Sequence, residues 1–175
     1  MSTREKGFTL IELLIVIAII GILASTILIN VGGARIKARD AKRKMQLISI
    51  RSALEVYYAS HGRYPQAGGC AIVNCYVYSS GGANWIPALA AEVGSLPVDP
   101  INNLDGPWVD GHYTFAYGNV ATDGQRYDLT AQLESPSDPD RCAVKNYKFN
   151  PHGTDVGWCD GSPYTYSDQI FEVSR

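Results

Sequence analysis

The stretch Gly7–Ile29, GFTLIELLIVIAIIGILASTILI, decides how the rest of the chain can fold. From Phe8 to Ile29 one charge, Glu12, interrupts side chains that are almost all apolar. A helix rises ~1.5 Å per residue, so this run is roughly 33 Å long, enough to cross a hydrocarbon core of about 30 Å. An acid at mid-membrane costs roughly 2.5–3.5 kcal/mol on insertion scales, so Glu12 calls for a partner. The partner within reach is positive charge at the helix start, a free amine if the chain were cut before Phe8.

A secretory signal peptide has an apolar region of about 7–15 residues followed by a small-residue cleavage site. This run is longer and shows no convincing A-x-A motif. A plain single-pass anchor carrying a binding domain accounts for the apolar length but not for the register of Gly7, Phe8 and Glu12. Arg4-Glu5-Lys6-Gly7 followed by Phe8-Thr9-Leu10-Ile11-Glu12 resembles the processing site of type IV prepilins and of type II secretion pseudopilins. The resemblance is strict over residues 4–28 and looser as far as Tyr64-Pro65. It implies that prepilin peptidase cuts between Gly7 and Phe8, that Phe8 is then N-methylated, and that Glu12 docks subunits. It also implies an inner-membrane assembly platform and a homo-oligomeric helical filament. The filament is a type IV pilus or, alternatively, the periplasmic pseudopilus of type II secretion.

At 175 residues there is room for one domain beyond the apolar run. The net charge of −2 hides a division. Residues 30–60 hold seven Lys or Arg against two acids, whereas residues 61–175 hold six against thirteen, so a basic stalk carries an acidic head. The basic run Arg35, Lys37, Arg39, Lys42, Arg43, Lys44 would by the positive-inside rule lie in the cytoplasm. The cysteines beyond it and the cytoplasmic leader that the resemblance requires place the head outside instead. This run offers phosphate contacts to nucleic acid or to lipid heads, though nothing else in the sequence indicates nucleic acid. The run reads either as a solvated face of the stalk or, as the preferred functional use, as attracted to acidic heads of neighbouring subunits, which predicts salt-sensitive assembly.

Four cysteines, Cys70, Cys75, Cys142 and Cys159, all follow the apolar run. In an exported chain they read as two disulfides. Short loops favour Cys70–Cys75 and Cys142–Cys159, although three pairings are open; zinc spacing fits poorly. Asp99, Asp105, Asp138 and Asp140, with Asp110, are weak loop-oxygen candidates for calcium, but none fits an EF-hand and acids in turns serve the backbone alone. No nucleophile elbow, zinc-protease, P-loop or dinucleotide motif is present, so no enzyme and no cofactor is expected.

The expected division is a leader at 1–7, a membrane and filament-core helix at 8–30, an amphipathic basic helix at 31–62 and an extracytoplasmic head at 63–175. In the second helix, Ala41, Met45 and Ile48 form one apolar line, and Leu47, Ile50, Leu54, Tyr57 and Tyr58 a neighbouring one. Gly32-Gly33 is where the rod should bend or melt, and Gly62 and Pro65 should end it. A helix from Phe8 to Ser60 would be roughly 80 Å long, so half is expected to project. Residues 67–85 read as loop, Pro87–Val93 as a short helix ended by Gly94, and Leu96–Pro100 as an extended turn. His112–Tyr117 and Arg126–Glu134 alternate as strands joined in a hairpin at Thr122-Asp123-Gly124. In the second of these strands Tyr127, Leu129, Ala131 and Leu133 face the core, and Asp128, Thr130, Gln132 and Glu134 face water. Asn146–Asn150 and Tyr164–Val173 are further strand candidates. The expected fold is therefore α+β and pilin-like, a long N-terminal helix on an antiparallel sheet.

Overall fold

The computed structural model describes residues 7–67, 75–119, 124–141 and 169–174, with side chains described in these ranges except at 26–31, 75 and 174. The elements run α1 (Leu10–His61), β1 (Cys75–Tyr78), a 3-10 turn (Ser79–Gly81), α2 (Pro87–Val93), β2 (Phe115–Asn119), β3 (Tyr127–Gln132) and β4 (Ile170–Ser174). The chain forms two compact units, Met1–Lys37 and Ala38–Arg175.

In the first unit α1 continues through Gly32 and Gly33, correcting the expectation that the helix melts there. Each glycine costs ~1 kcal/mol against alanine, and Ala, Arg and Lys in the following turn favour the helix in return. The large apolar side chains of this unit from Phe8 to Leu23 stand 46% or more exposed.

The second unit is a four-stranded antiparallel sheet in the order β1-β2-β3-β4, with the later part of α1 packed on one face. Alternate residues of the strands point at the helix: Phe115 and Tyr117, then Tyr127, Leu129 and Ala131, then Phe171 and Val173. Leu47, Ile50 and Leu54 meet them from α1, each contributing roughly 1.5–3 kcal/mol by leaving water. The other apolar line does not join them. Met45 is 65% exposed and Ile48 54%, so the buried stripe is narrower than the spacing suggested.

Gly62 ends α1 in a left-handed turn (φ 68°), its N–H donating to the Tyr58 carbonyl at 2.8 Å. Tyr64 and Pro65 then enter the core, and the Tyr117 hydroxyl donates to the Pro65 carbonyl at 2.6 Å. Pro87 starts α2 and Gly94 (φ 84°) ends it, as the sequence indicates.

Two readings of the strands are corrected. The segment from 67 to 85, read as loop, contains β1, which pairs Tyr76 with Gly118 and Val77 with Tyr117. The glycine is required there: a Cβ at Gly118 would come within 2.7 Å of the Tyr76 ring. The supposed wet face of β3 is buried, with Asp128, Thr130 and Gln132 all at 1% exposure or less. Segment 107–111 covers this face and hydrogen-bonds to it. Gln132 Nε2 donates to the carbonyls of Pro107 and Val109 at 2.9 Å, and its Oε1 accepts from Gly111 N–H at 2.7 Å. The Tyr76 hydroxyl donates to Asp128 at 2.5 Å. β4 covers the end of the last strand candidate, while Asn146–Asn150 lies outside the described residues.

Candidate assembly site

The N-terminal turn of α1 holds the first group of candidate residues. Gly7 and Phe8 precede the helix, with Phe8 85% exposed. Thr9 caps it. The Thr9 backbone N–H and Oγ1 both donate to Glu12 Oε2, at 2.8 and 2.7 Å, and the Glu12 N–H donates back to Thr9 Oγ1 at 3.3 Å. This is a reciprocal capping box, in which two helix-end donors that lack intrahelical partners are satisfied by two side chains. Its signal, a threonine three residues before an acid at the head of an apolar run, was present in the sequence but not recognised there. Glu12 is thus partnered within its own chain.

Among the described residues no helix is long and apolar enough to cross a membrane. Described side chains of the apolar run end at Ser25 and resume at Gly32, and a span needs about 20 residues.

The basic run is the second group, and the structure divides it. Arg43 is fully buried, with three carboxylates around its guanidinium. Nε and Nη2 grip Asp99 at 2.7 and 3.1 Å, while Nη1 donates to Asp40 at 2.8 Å and to Glu134. Arg39 grips the same Glu134 with Nε, at 2.7 Å, and with Nη2. A lysine could not serve here, because the planar fork of five donors is what reaches several acceptors at once. Two cations face three anions, and backbone donors compensate the excess. Asp40 accepts the N–H groups of Glu134 and Ser135, each at 2.9 Å, and Asp99 those of Ile101 and Asn102 at 2.8 and 3.3 Å. Arg43 also lies over the Tyr113 ring, 4.9 Å from its centre.

Burial opposes ionisation of Arg43, yet Asp99 and Glu134 raise its pKa above the ordinary guanidinium value. Burial likewise pushes Glu134 up, but hydrogen bonds from Arg39 and Arg43 outweigh it and hold the carboxyl below its usual range. Lys44 bridges Asp138 and Asp140. Arg39, Arg43 and Lys44 are therefore engaged by their own head. For these three this corrects both expectations, a solvated stalk face and attraction to neighbouring heads. Arg35, Lys37 and Lys42 stay exposed and carry no ion pair among the described residues.

The same contacts place the calcium candidates. Asp99 is held by Arg43, Asp138 and Asp140 by Lys44, and Asp105 accepts from the Ser80 hydroxyl. Among the described residues no group of three or more His, Cys, Asp or Glu gathers to hold a metal ion. Cys70, Cys142 and Cys159 lie outside the described residues, as does the side chain of Cys75.

Comparison with known proteins adds three findings. A family model described as the prokaryotic N-terminal methylation motif matches residues 2–28. The type II secretion system core protein G of Escherichia coli (strain K12) is 33% identical over 121 residues, 64% of this chain and 79% of its own length. The core protein G of Pectobacterium carotovorum subsp. carotovorum is 42% identical over 62 residues, and the type IV major pilin protein PilE1 of Neisseria gonorrhoeae 42% over 66. These two alignments cover 35% and 38% of this chain, and only 40% of each relative's own length. No solved structure matches.

Proposed function

This chain belongs to the family of type IV pilins and type II secretion pseudopilins, and we propose that it is a structural subunit of a type IV pilus-like filament. One observation carries the proposal. The first half of α1 exposes its apolar side chains all round, and the one acid among them, Glu12, is closed onto the helix start. Such a helix is stable where something apolar surrounds it. Before assembly that is the membrane, which Phe8–Ile29 would cross once with the leader cytoplasmic and the head outside. After assembly it is the same helix of neighbouring copies.

In this reading prepilin peptidase releases the Phe8 amine, which is methylated. Glu12 of an incoming subunit exchanges its Thr9 partner for that amine on a neighbour, so a buried charge is compensated and the axial register is fixed. Contacts of this head-to-tail kind do not close, and repeated they build a filament. The role is structural rather than catalytic.

The alignment over 121 residues favours a second reading, a pseudopilin of a type II secretion system, because it extends into the head. Mass spectrometry of the mature N-terminus tests the step common to both: a chain beginning at methylated Phe8 is expected, and an intact Met1 overturns it. Shearing cells then separates the two readings, since long surface fibres carrying the protein support the pilus.

A further inference from the structure

A cavity of about 320 Å³ opens at the β1 end of the sheet, lined by Tyr76, Tyr78, Trp85, Ser80 and Asp105, and no residue of the filament mechanism reaches it. Trp108 stands behind, its ring centre 5.0 Å from that of Tyr76 and 5.9 Å from that of Tyr78. Aromatic faces carry negative charge density and attract cations, most strongly where the site is partly dry. Among the described residues the charged member of the lining is an acid, Asp105, and no cation shares the wall. Asp105 accepts from the Ser80 hydroxyl, which leaves capacity, since a carboxylate has about four acceptor positions. Tyr78 and Asp105 line the same cavity, and burial and then the Asp105 charge push the Tyr78 hydroxyl up to about 12. Rings and one carboxylate are complementary to an organic cation.

The chain itself holds cations without carboxylates. Of the six in the Arg35–Lys44 run, Arg35, Lys37 and Lys42 carry no ion pair among the described residues. Elsewhere among the described residues the exposed cations Arg51, Arg63 and Arg126 stand singly, whereas these three lie within eight positions and form one field. We propose that the aromatic cavity of one subunit receives a basic side chain from the Arg35–Lys42 stretch of a second copy, held between Asp105 and the rings of Tyr78 and Trp85. The inference rests on the filament reading, which supplies the second copy. It narrows the expected attraction between stalk and head to half of the basic run and to one place on the head.

The test uses the full chain in its host. Asp105→Lys is expected to lower the filament recovered after shearing by about tenfold at low salt, with Asp105→Asn between it and the parent. Reversing Lys42, Arg35 or Lys37 to Glu alongside Asp105→Lys should restore recovery, and the same reversal at Arg51, Arg63 or Arg126 should not. Independently, Gly81→p-benzoylphenylalanine puts a photoreactive group at the cavity lip, where no atom within 4 Å obstructs a Cβ. Illuminated filaments should give a dimer cross-linked to a peptide within residues 34–44.

Parent-level filaments from Asp105→Lys overturn the proposal, as does a loss that no reversal in the stretch rescues, or a cross-link to a head peptide. In each of those outcomes parent filaments still form, so the filament reading stands. Failure of the parent chain to appear in any filament overturns that reading instead.

Discussion

The two halves of α1 treat charge in opposite ways. In the first half the side chains are apolar and exposed, and the single acid is satisfied three residues away by Thr9. In the second half Arg43 and Asp40 are buried, and their partners Asp99 and Glu134 lie 56 and 91 or more positions along the chain. In the proposed filament the first half is completed by neighbouring copies; the second is completed within the subunit. On the proposed function one helix serves assembly at one end and the stability of the head at the other, and substitutions should separate the two.

The largest separation is expected at Glu12. Glu12→Gln should leave membrane insertion and head stability unchanged while filaments disappear, because the amide has no charge to set against a neighbour's amine. Fibres of normal abundance from this variant would remove the charge-pairing mechanism. Arg43→Met tests the opposite end. It leaves Asp40, Asp99 and Glu134 buried together, and losing one partner of a buried ion set costs about 3–5 kcal/mol. That is a large share of a domain's ~5–15 kcal/mol. Chemical denaturation of the full chain in detergent should show the loss, and Arg43→Lys should recover little of it, since one ammonium cannot grip Asp99 with two donors. A melt within ~1 kcal/mol of the parent would mean that the three acids find other partners.

How far these halves could be read beforehand depended on the range of the interactions. The apolar run, the Gly7-Phe8-Glu12 register, the end of α1 at Gly62 and the whole of α2 are local patterns, and the structure reproduces the helix ends. The Arg43 set is not local. Nothing in K-R-K distinguishes Arg43, which is buried, from Lys42, which is exposed, because the difference lies in which turn faces Asp99. The polar face of β3 misled for a related reason. Alternation correctly separated Asp128, Thr130 and Gln132 from Leu129 and Ala131, but equating polar with wet failed because the carbonyls of segment 107–111 stand in for water at Gln132. The capping box is local and legible in Thr9-Leu10-Ile11-Glu12, because the acid's nearest donors stand three residues before it.

A milder way to perturb the second half is acid. Glu134 and Asp138 are depressed from ordinary values of 4.5 and 3.8; in both, burial is outweighed, by Arg39 and Arg43 at Glu134 and by Lys44 at Asp138. A depressed folded pKa stabilises above the unfolded value, and the contribution is lost as pH falls through the folded one. The head should therefore unfold at constant denaturant from neutrality to about pH 5, and at progressively less below 4.5. Glu134→Gln should flatten part of that slope, and an unchanged slope would assign it to other carboxylates.

The smallest effect is expected at Thr9, and it asks whether the capping box and the assembly pair are one device or two. Thr9→Ala removes the hydroxyl that donates to Glu12 and accepts from its N–H, but keeps the backbone N–H that donates at 2.8 Å. The first turn should loosen, and amide exchange at Glu12 in detergent micelles should rise about fivefold, the size of a lost cap. Thr9→Ser, which keeps the hydroxyl, should restore it. Filaments should still form from Thr9→Ala, because the carboxylate and the Phe8 amine are both intact and the hydroxyl only holds Glu12 until the neighbour arrives. If Thr9→Ala abolishes filaments as completely as Glu12→Gln, the hydroxyl belongs to the assembled contact itself. The two halves of α1 would then differ less than their burial suggests, each relying on a hydrogen-bonded set that tolerates no missing member.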